Sequence, residues 1–398
     1  MKKQIIGVTL AFLPLLAHGS SILSHDKEIG LYQSNKKTTF IKDNDILSPK
    51  SAHWVNNNTL SINALERGAT VLYNTTSSDW EKITAIEHTF KNPQFESIPN
   101  YPGKIYSQNF MGKPVEITSN KDYMWIPYYR FSWDTSSREG SGIAQVNMTN
   151  YQVSKLLPAG NIPKMVTLSH DEKLLASTHW GDNTVGIYEL NEESEPISYS
   201  SYTIERKLPT QNIGGDRDKN CGFCLRGTVF TKDDKYLIIG RMGGGGLAII
   251  DIVNKKYVGT VRNVPATPRH LVLSKDGKTL YISTSFSGQV AKINIDNLIN
   301  NWQHITLKDW SILTMGSGVR TIALSNDEKY LYATLNSSSH IAVVDVDNFK
   351  VVEKQKVASF PVGLAVSPDD KYIAITSQGK AGQGGGNHVD IFIRNDKK

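Results

Sequence analysis

The sequence predicts an all-β protein, a seven-bladed β-propeller closed by an N-terminal strand that completes the last blade. One short phrase recurs at intervals that suit a four-stranded unit, and each copy is followed by further strand signals. Helical periodicity is nearly absent. The 398 residues are 39% hydrophobic and 21% charged, an ordinary composition for a globular chain with a buried core.

The N-terminus is typical of a targeting segment. Two lysines precede an apolar run from Ile5 to Ala17, and small residues follow where a signal peptidase cuts. We expect cleavage before Ser20, which makes residues 1–19 a signal peptide. The apolar run is shorter than the roughly 20 residues that span a bilayer, so we expect no transmembrane segment in the mature chain. The sequence therefore predicts a periplasmic or secreted protein.

The repeated phrase consists of an apolar run, Ser or Thr, a polar residue and Asp, with an apolar strand after it. The five clear copies end at Asp171, Asp233, Asp276, Asp327 and Asp369. A weaker copy ends at Asp122 and a degenerate one lies near Asn56, which makes seven units. Propeller blades repeat at about 40 to 50 residues, close to the spacing of these copies. The longest interval predicts an insertion within Glu192–Asn220.

The last unit is one strand short. After its Asp anchor the chain offers two strands, over residues 372–376 and 389–393. We expect a segment from Gly30 to Ile41 to supply the missing strand, since an unpaired sheet edge is a liability. The expected organisation is a single propeller domain over residues 26–398.

The best-preserved unit, Ser325 to Asp345, identifies a resemblance to a known family. It reads Ser-Asn-Asp-Glu-Lys-Tyr-Leu-Tyr and continues to an Ile-Ala-Val-Val-Asp strand. This pattern resembles the YVTN-repeat β-propellers, exported bacterial proteins that include YncE-like members, and it extends from about Pro114 to Ile393. The resemblance implies the fold. It leaves function open, because this fold hosts lactonases, haem enzymes, DNA-binding proteins and adhesion modules.

One face of the predicted propeller carries a repeated basic position. In a four-stranded meander each strand reverses direction, so the start of the first strand and the hairpin between the second and third strands share a face. Seven residues before the Asp anchors, four consecutive units place a cation at this start: Lys164, Arg226, Arg269 and Arg320. Lys50 is a candidate fifth. We expect a basic arc around the mouth of the central channel, where it would attract an anion. In the alternative, each cation pairs with an acidic residue or carbonyl of the next blade.

Residues in the hairpins of the same face are further candidates for ligand contacts. They are His179, Trp180, Arg241, Tyr129, Arg130, Trp133 and the glycine-rich segment 379–388. Outside the hairpins, His270 directly follows Arg269 and is a further candidate. Their aromatic rings suit stacking on a sugar, a base or a protein side chain, whereas packing between blades is the alternative for each ring. The run Gly243–Gly246 would let a ligand approach the backbone closely.

The two cysteines, Cys221 and Cys224, predict a structural disulfide in an oxidising compartment, with a redox role as the alternative. Leu225 stands where covalent haem attachment needs His, and a zinc site would need further ligands at suitable spacing. The sequence therefore predicts no cofactor and no metal.

The net charge of +6 is too mild to require nucleic acid as the partner. We interpret the protein as an exported binding module for an anionic ligand, which is a carbohydrate, an envelope polymer, a nucleic acid or an acidic protein surface. The alternative is a lactonase-like hydrolase in which the arginines stabilise a carbonyl and His270 or Asp182 is the base. A scaffold without a small ligand is the third reading. The linear motif of serine hydrolases, Gly-x-Ser-x-Gly, is absent from the sequence.

Overall fold

A computed structural model describes residues 21–101, 109–130, 140–209, 216–316, 318–379 and 386–397. The predicted all-β class and the seven blades are confirmed, since the strands form six four-stranded antiparallel sheets and one five-stranded sheet. Within these ranges, no helix has the length and apolar character that crossing a membrane requires. The predicted signal peptide, residues 1–19, lies outside the described residues and stays a prediction.

In blades 1 to 6 four strands follow one another along the chain, whereas blade 7 combines strands from both ends of the chain. The chain begins with two strands of the last blade, β1 (Leu23–Gly30) and β2 (Thr39–Lys42). Blade 1 comprises β3 (Pro49–Asn56), β4 (Thr59–Ala64), β5 (Ala69–Asn74) and β6 (Glu81–Glu87). A small hairpin follows, with β7 (Thr89–Phe90) and β8 (Phe110–Met111). Blade 2 comprises β9 (Thr118–Ser119), β10 (Tyr123–Pro127), β11 (Ser141–Asn147) and β12 (Gln152–Ala159).

The middle blades repeat this meander. Blade 3 comprises β13 (Pro163–Leu168), β14 (Leu174–His179), β15 (Thr184–Leu190) and β16 (Pro196–Thr203). Blade 4 comprises β17 (Leu225–Phe230), β18 (Tyr236–Arg241), β19 (Leu247–Asp251) and β20 (Lys256–Val261). Blade 5 comprises β21 (Pro268–Leu273), β22 (Thr279–Thr284), β23 (Gln289–Asn294) and β24 (Ser311–Thr314). Helix α1 (Ile295–Asn300) and a 3-10 turn (Leu307–Asp309) precede β24.

The last two blades complete the ring. Blade 6 comprises β25 (Val319–Leu324), β26 (Tyr330–Leu335), β27 (His340–Asp345) and β28 (Lys350–Lys356). Blade 7 comprises β29 (Pro361–Val366), β30 (Tyr372–Ser377) and β31 (His388–Arg394), together with β1 and β2. A 3-10 turn (Asn395–Lys397) follows β31.

The repeated Ser/Thr-x-Asp phrase forms the turn between the first and second strands of a blade. In blade 3, the Ser169 hydroxyl donates to Asp171 Oδ1 at 2.6 Å and accepts the backbone N–H of Leu174 at 2.9 Å. The same hydroxyl-to-carboxylate bond joins Thr231 to Asp233, Ser274 to Asp276, Ser325 to Asp327 and Ser367 to Asp369. The phrase therefore recurs because blades 3 to 7 use the same turn.

The residue after the anchor links one blade to the next. Asp234 of blade 4 accepts the backbone N–H groups of His170 at 2.9 Å and Asp171 at 3.0 Å, both in blade 3. The apolar cores are likewise shared, since Ile249 of blade 4 and Ile282 of blade 5 belong to one buried cluster. Each blade is thus held against its neighbour by both polar and apolar contacts.

The N-terminal strand closes the ring, as predicted, but it lies earlier than the predicted segment. β1 (Leu23–Gly30) pairs antiparallel with β31, and β2 (Thr39–Lys42) adds a parallel fifth strand. The sequence does not predict β1 because residues 26–28 are all charged, which is unusual for a buried strand, yet Lys27 and Glu28 are buried.

The predicted insertion in the longest interval is largely confirmed, with narrower bounds at its start. The part of it over Pro196–Thr203 is β16, the outer strand of blade 3. The extra residues lie in the connection from Ile204 to Cys224, which leads into β17 and falls mostly within the predicted range.

Candidate functional site

A β-bulge occurs at the predicted basic position of the inner strand in blades 1, 3, 4, 5 and 6. The register with the second strand shifts at Pro49/Ser51, Pro163/Met165, Leu225/Thr228, Pro268/Leu271 and Val319/Ile322. A bulge leaves a residue out of the ladder and re-aims its side chain. Lys50, Lys164, Arg226, Arg269 and Arg320 all lie in these bulges.

The five basic side chains lie close enough to repel one another. Burial lowers the pKa of Lys50 well below its usual value, and the four other cations lower it further. Burial also lowers the pKa of Arg269 well below the usual range, and Arg320 and Arg226 add to that shift. Burial and Arg226 lower the pKa of Arg320 to about 9. The structure thus gathers the predicted basic positions into one group, which we call the basic cluster.

At one side of the basic cluster, Lys164 forms an ion pair with an acidic residue. Its ammonium lies 3.1 Å from Asp218 Oδ1 and 3.7 Å from the centre of the Tyr129 ring. The same ammonium lies 5.0 Å from the centre of the Trp180 ring, and the Trp180 indole N–H donates to the backbone carbonyl of Asp218 at 3.0 Å. Burial lowers the pKa of Lys164 to about 7, although Asp218 opposes the shift. This corner is close to the alternative in which a cation pairs with an acidic residue of the next blade, except that Asp218 lies in the connection that leads into blade 4.

The three arginines of blades 4, 5 and 6 lack such a partner. Among the described residues, neither Arg226, Arg269 nor Arg320 forms an ion pair within 4.0 Å. Arg269 Nη1 contacts the sulfur of Met242 at 3.2 Å, and the Arg320 guanidinium lies 5.5 Å from the Phe360 ring. Arg320 Nε is buried without a hydrogen-bond partner. Three guanidinium groups therefore lie together without a direct ion pair among the described residues, although Glu116 and Asp218 act on Arg226 over a longer distance.

Glu116 is the acidic residue that acts most strongly on Arg226, and the sequence pattern did not reveal it. It lies just before β9, next to Val115 at the position that is basic in other blades. Burial raises the pKa of Glu116 to about 7, although Arg226 and Lys50 both act to lower it. A carboxyl group with this pKa can accept or donate a proton near neutral pH.

His270 and Glu116 line the same cavity of about 360 Å³ in the channel, together with Thr228. Burial, then Arg226 and Arg269, lower the pKa of His270 to about 3, so the imidazole is neutral at physiological pH. His270 Nδ1 and Thr228 Oγ1 are buried without hydrogen-bond partners. These atoms are available to a group that enters the channel.

Two of the predicted hairpin residues are in contacts that pack the blades. Arg241 is fully buried, its Nη1 lies 2.6 Å from Glu205 Oε1, and its guanidinium covers the Phe223 ring at 3.9 Å. The fully buried His179 accepts the Gly160 N–H through Nε2 at 3.2 Å. The structure does not bring either residue to the basic cluster.

Arg130 and Asp182 are also occupied by protein contacts. Arg130 Nη2 lies 3.6 Å from Asp216 Oδ1, and its guanidinium stacks 4.7 Å from the Tyr129 ring. Asp182 accepts the backbone N–H groups of Asn161 and Thr184, each at 3.0 Å. Asp182 therefore stabilises a turn, although the sequence suggested it as a catalytic base. Trp133 and residues 380–385 of the glycine-rich segment lie outside the described residues.

The predicted disulfide is confirmed, since Cys221 and Cys224 are bonded in the segment that leads to Arg226.

A groove of about 370 Å³ lies beside the basic cluster. Met242 connects the two, since it lines the groove and contacts Arg269. Phe286 also lines this groove, with 85% of its surface exposed. The face therefore offers an apolar surface next to the arginines.

Comparison with known sequences places these features in a family. Residues 131–397 match the family described as "Lactonase, 7-bladed beta-propeller". The chain is 28% identical over 172 residues to antigen Lp49 of Leptospira interrogans, which covers 38% of this chain and only 36% of that protein. It is 24% identical over 242 residues to an uncharacterised protein of Staphylococcus epidermidis, covering 58% of this chain and 67% of that protein.

Solved structures share the fold. Hydrazine synthase of Kuenenia stuttgartiensis superposes with a TM-score of 0.61 at 12% identity, over 92% of this chain and 100% of that chain. The Cps50 (Swd1) β-propeller domain of Myceliophteria thermophila gives 0.59 at 11% identity, over 87% and 96%. At such identities the similarity concerns the fold alone. The family match extends over more than half of the chain, and it is compatible with the resemblance to YVTN-repeat propellers. The chain therefore belongs to the seven-bladed β-propeller lactonase family.

Proposed function

We propose that this protein binds an anionic ligand at the mouth of the central channel through Arg226, Arg269 and Arg320. The observation that carries the proposal is that these partly or fully buried guanidinium groups lie together without an ion-pair partner among the described residues. Buried charge without a counter-charge is costly, and a bound anion would remove that cost. A guanidinium also matches the geometry of a carboxylate or phosphate group.

The spaces beside the basic cluster favour a carbohydrate or envelope polymer that presents an acidic group. The cavity and the groove each measure about 360 to 370 Å³, which suits a small group or one chain end. The exposed ring of Phe286 offers a stacking surface for the rest of such a ligand. A nucleic acid or an acidic protein surface would reach the arginines only through a projecting group.

A thermal-shift experiment tests the proposal. The probes are inorganic phosphate, gluconate and glucuronate at low ionic strength, with glucose as the neutral control. A ligand present at 100 times its dissociation constant stabilises the native state by about 2.7 kcal/mol, which raises the melting temperature. We expect the anions to raise the melting temperature of the wild type and glucose to leave it unchanged.

The matched variants locate the site. The triple variant Arg226→Ala, Arg269→Ala, Arg320→Ala should lose the shift, whereas Arg262→Ala should keep it. Arg262 is a basic residue that pairs with Glu205 outside the channel. A shift of wild-type size in a folded triple variant would overturn the proposal, as would the absence of any shift with the three anions in the wild type.

Lactone hydrolysis is the second candidate, favoured by the pKa of Glu116 and by the family. In this reaction Glu116 would take a proton from water as the water oxygen attacks the lactone carbonyl carbon, and Arg226 would stabilise the oxyanion. Collapse of the tetrahedral intermediate breaks the bond to the ring oxygen, which receives the proton from Glu116. The product is a hydroxy acid, which releases its carboxyl proton to solvent at neutral pH, and the resulting anion is the same class of ligand that the arginines would bind.

Acid release from glucono-δ-lactone, followed in a pH-stat, tests this candidate. We expect Glu116→Gln to abolish turnover while the gluconate-induced thermal shift remains. Hydrolysis at the uncatalysed rate in the wild type would eliminate the hydrolase and leave the binding proposal standing.

We also propose that the protein acts outside the cytoplasm, because its cysteines form a disulfide and its N-terminus has the pattern of a signal peptide. N-terminal sequencing of the mature protein should begin at Ser20. An N-terminus that starts at Met1 would contradict export by this route.

A further inference from the structure

The closure of the ring brings histidine and acidic residues together from the two ends of the chain. In the pairing of β1 with β31, Glu28 lies directly opposite Asp390. His25 Nε2 lies 3.0 Å from Asp390 Oδ1. Ligand atoms of His25, Glu28 and Asp390 all lie within 4.8 Å of one another. They border a cavity of about 410 Å³ between blades 6 and 7.

The two carboxylates are buried side by side. Glu28 is 0% exposed and Asp390 is 1% exposed. Glu28 Oε2 accepts the backbone N–H of Ser34 at 2.8 Å, and Asp390 Oδ2 accepts that of Ala358 at 2.9 Å. These bonds hold the carboxylates in place but bring no full positive charge. Like charges directly opposite on paired strands destabilise the sheet, and burial increases that cost.

No lysine or arginine compensates this pair within the described ranges. The ion-pair partners of the two carboxylates there are histidines: His25 for Asp390 at 3.0 Å, and the fully buried His388 for Glu28 at 3.4 Å. Lys356 lines the same cavity without an ion pair to either carboxylate. A divalent cation would balance the two negative charges with neutral imidazoles.

The imidazole of His25 is arranged as a ligand would be. Its Nε2 is buried and forms no hydrogen bond, although it lies 3.0 Å from Asp390 Oδ1. The ring stacks on Phe392 at 4.7 Å, which fixes its orientation. Its other nitrogen, Nδ1, lies 3.4 Å from the side-chain amide of Asn35. A half-turn of that amide would supply the oxygen acceptor that a metal-bound imidazole normally has.

We propose that His25, Glu28 and Asp390 bind a divalent transition-metal ion of the Zn²⁺ type. One imidazole and two carboxylates form a ligand set that Zn²⁺ accepts, and three protein ligands leave a position for water from the adjoining cavity. The ion would join β1 to β31, so it would fasten the ends of the chain where the ring closes. This inference is independent of the channel site, because none of its residues belongs to the basic cluster.

Calorimetric titration of the chelator-treated, untagged protein with ZnCl₂ tests the proposal. We expect one saturable site per chain and a melting temperature that rises on addition of Zn²⁺. His25→Ala and Asp390→Asn should each weaken Zn²⁺ binding at least about tenfold, the scale on which the surroundings of metal sites act. Both variants should also lose the rise in melting temperature.

His170→Ala is the matched control. His170 Nδ1 also lies close to a carboxylate, at 2.8 Å from Asp234 Oδ1, but this pair is more exposed and belongs to no three-ligand group among the described residues. The control should bind Zn²⁺ as the wild type does. If Asp390→Asn fails to fold, His25→Ala decides the question, since the His25 side chain is 18% exposed and tolerates truncation better.

Two results would overturn the metal site. One is a wild-type protein without saturable Zn²⁺ binding. The other is wild-type affinity in a folded His25→Ala variant. We expect the triple arginine variant to retain Zn²⁺ binding, which would show that the metal site does not depend on the channel site.

Discussion

Replacing Glu116 by Gln is expected to stabilise the protein at neutral and alkaline pH and to leave its stability unchanged in acid. Burial raises the pKa of Glu116 from its ordinary value of 4.5 to about 7. Between these values the unfolded chain loses the proton that the folded chain keeps, so the wild type loses stability as the pH rises. The gap of about 2.5 between the two pKa values, at 1.36 kcal/mol each, amounts to about 3 kcal/mol.

The assay is urea unfolding of the wild type and Glu116→Gln at several pH values from 4 to 9. The difference in free energy of unfolding should be near zero at pH 4, grow towards about 3 kcal/mol at pH 7, and then stay level. Other titrating groups contribute equally to both proteins and cancel in the difference. Glu193→Gln, a change at an exposed carboxylate, is the matched control and should show no such growth.

The opposite sign would refute this reasoning. If Glu116→Gln is less stable than the wild type at pH 8, then Arg226 and Lys50 outweigh burial and hold the carboxylate ionised. Glu116 would then be a permanent counter-ion of the basic cluster. Its proposed role as the acid and base of lactone hydrolysis would fall with that result.

Three further predictions concern stability. Arg241→Ala should cost about 3 kcal/mol in urea unfolding, because it removes a fully buried side chain that packs on Phe223 and donates to Thr260 Oγ1, and a loss below about 1 kcal/mol would contradict this. Gly227→Ala should lower the melting temperature, at a cost of about 1 to 3 kcal/mol, because its Cβ would lie 2.6 Å from the Arg269 carbonyl oxygen; an unchanged melting temperature would contradict that close approach. Burial lowers the pKa of His88 to about 3, so its contribution to stability is complete above pH 6.5 and is lost as the pH falls towards 3. In urea unfolding, His88→Gln should therefore lose less stability than the wild type between pH 6.5 and pH 3. An equal loss in both proteins would contradict this.

Repetition explains how much of the channel could be predicted. Because the blades share one design, a residue counted from each Asp anchor falls at an equivalent place, and the basic positions at Lys164, Arg226, Arg269 and Arg320 could be read without coordinates. The same counting passed over Glu116, since it stands one residue beyond the position counted in its blade. It also missed Asp218, the partner of Lys164, because that carboxylate comes from the non-repeating connection before blade 4.

The sequence by itself determined the fold class and the number of blades, because the signal is local. A hydroxyl such as that of Ser169 bonds a carboxylate two residues away, so a short stretch of sequence determines the turn and the strands on either side of it. Tertiary structure alone decided which charges are compensated and which are not. The pairing of Glu28 with Asp390, more than 350 residues apart, depends on how the ring closes, and no spacing along the chain encodes that distance.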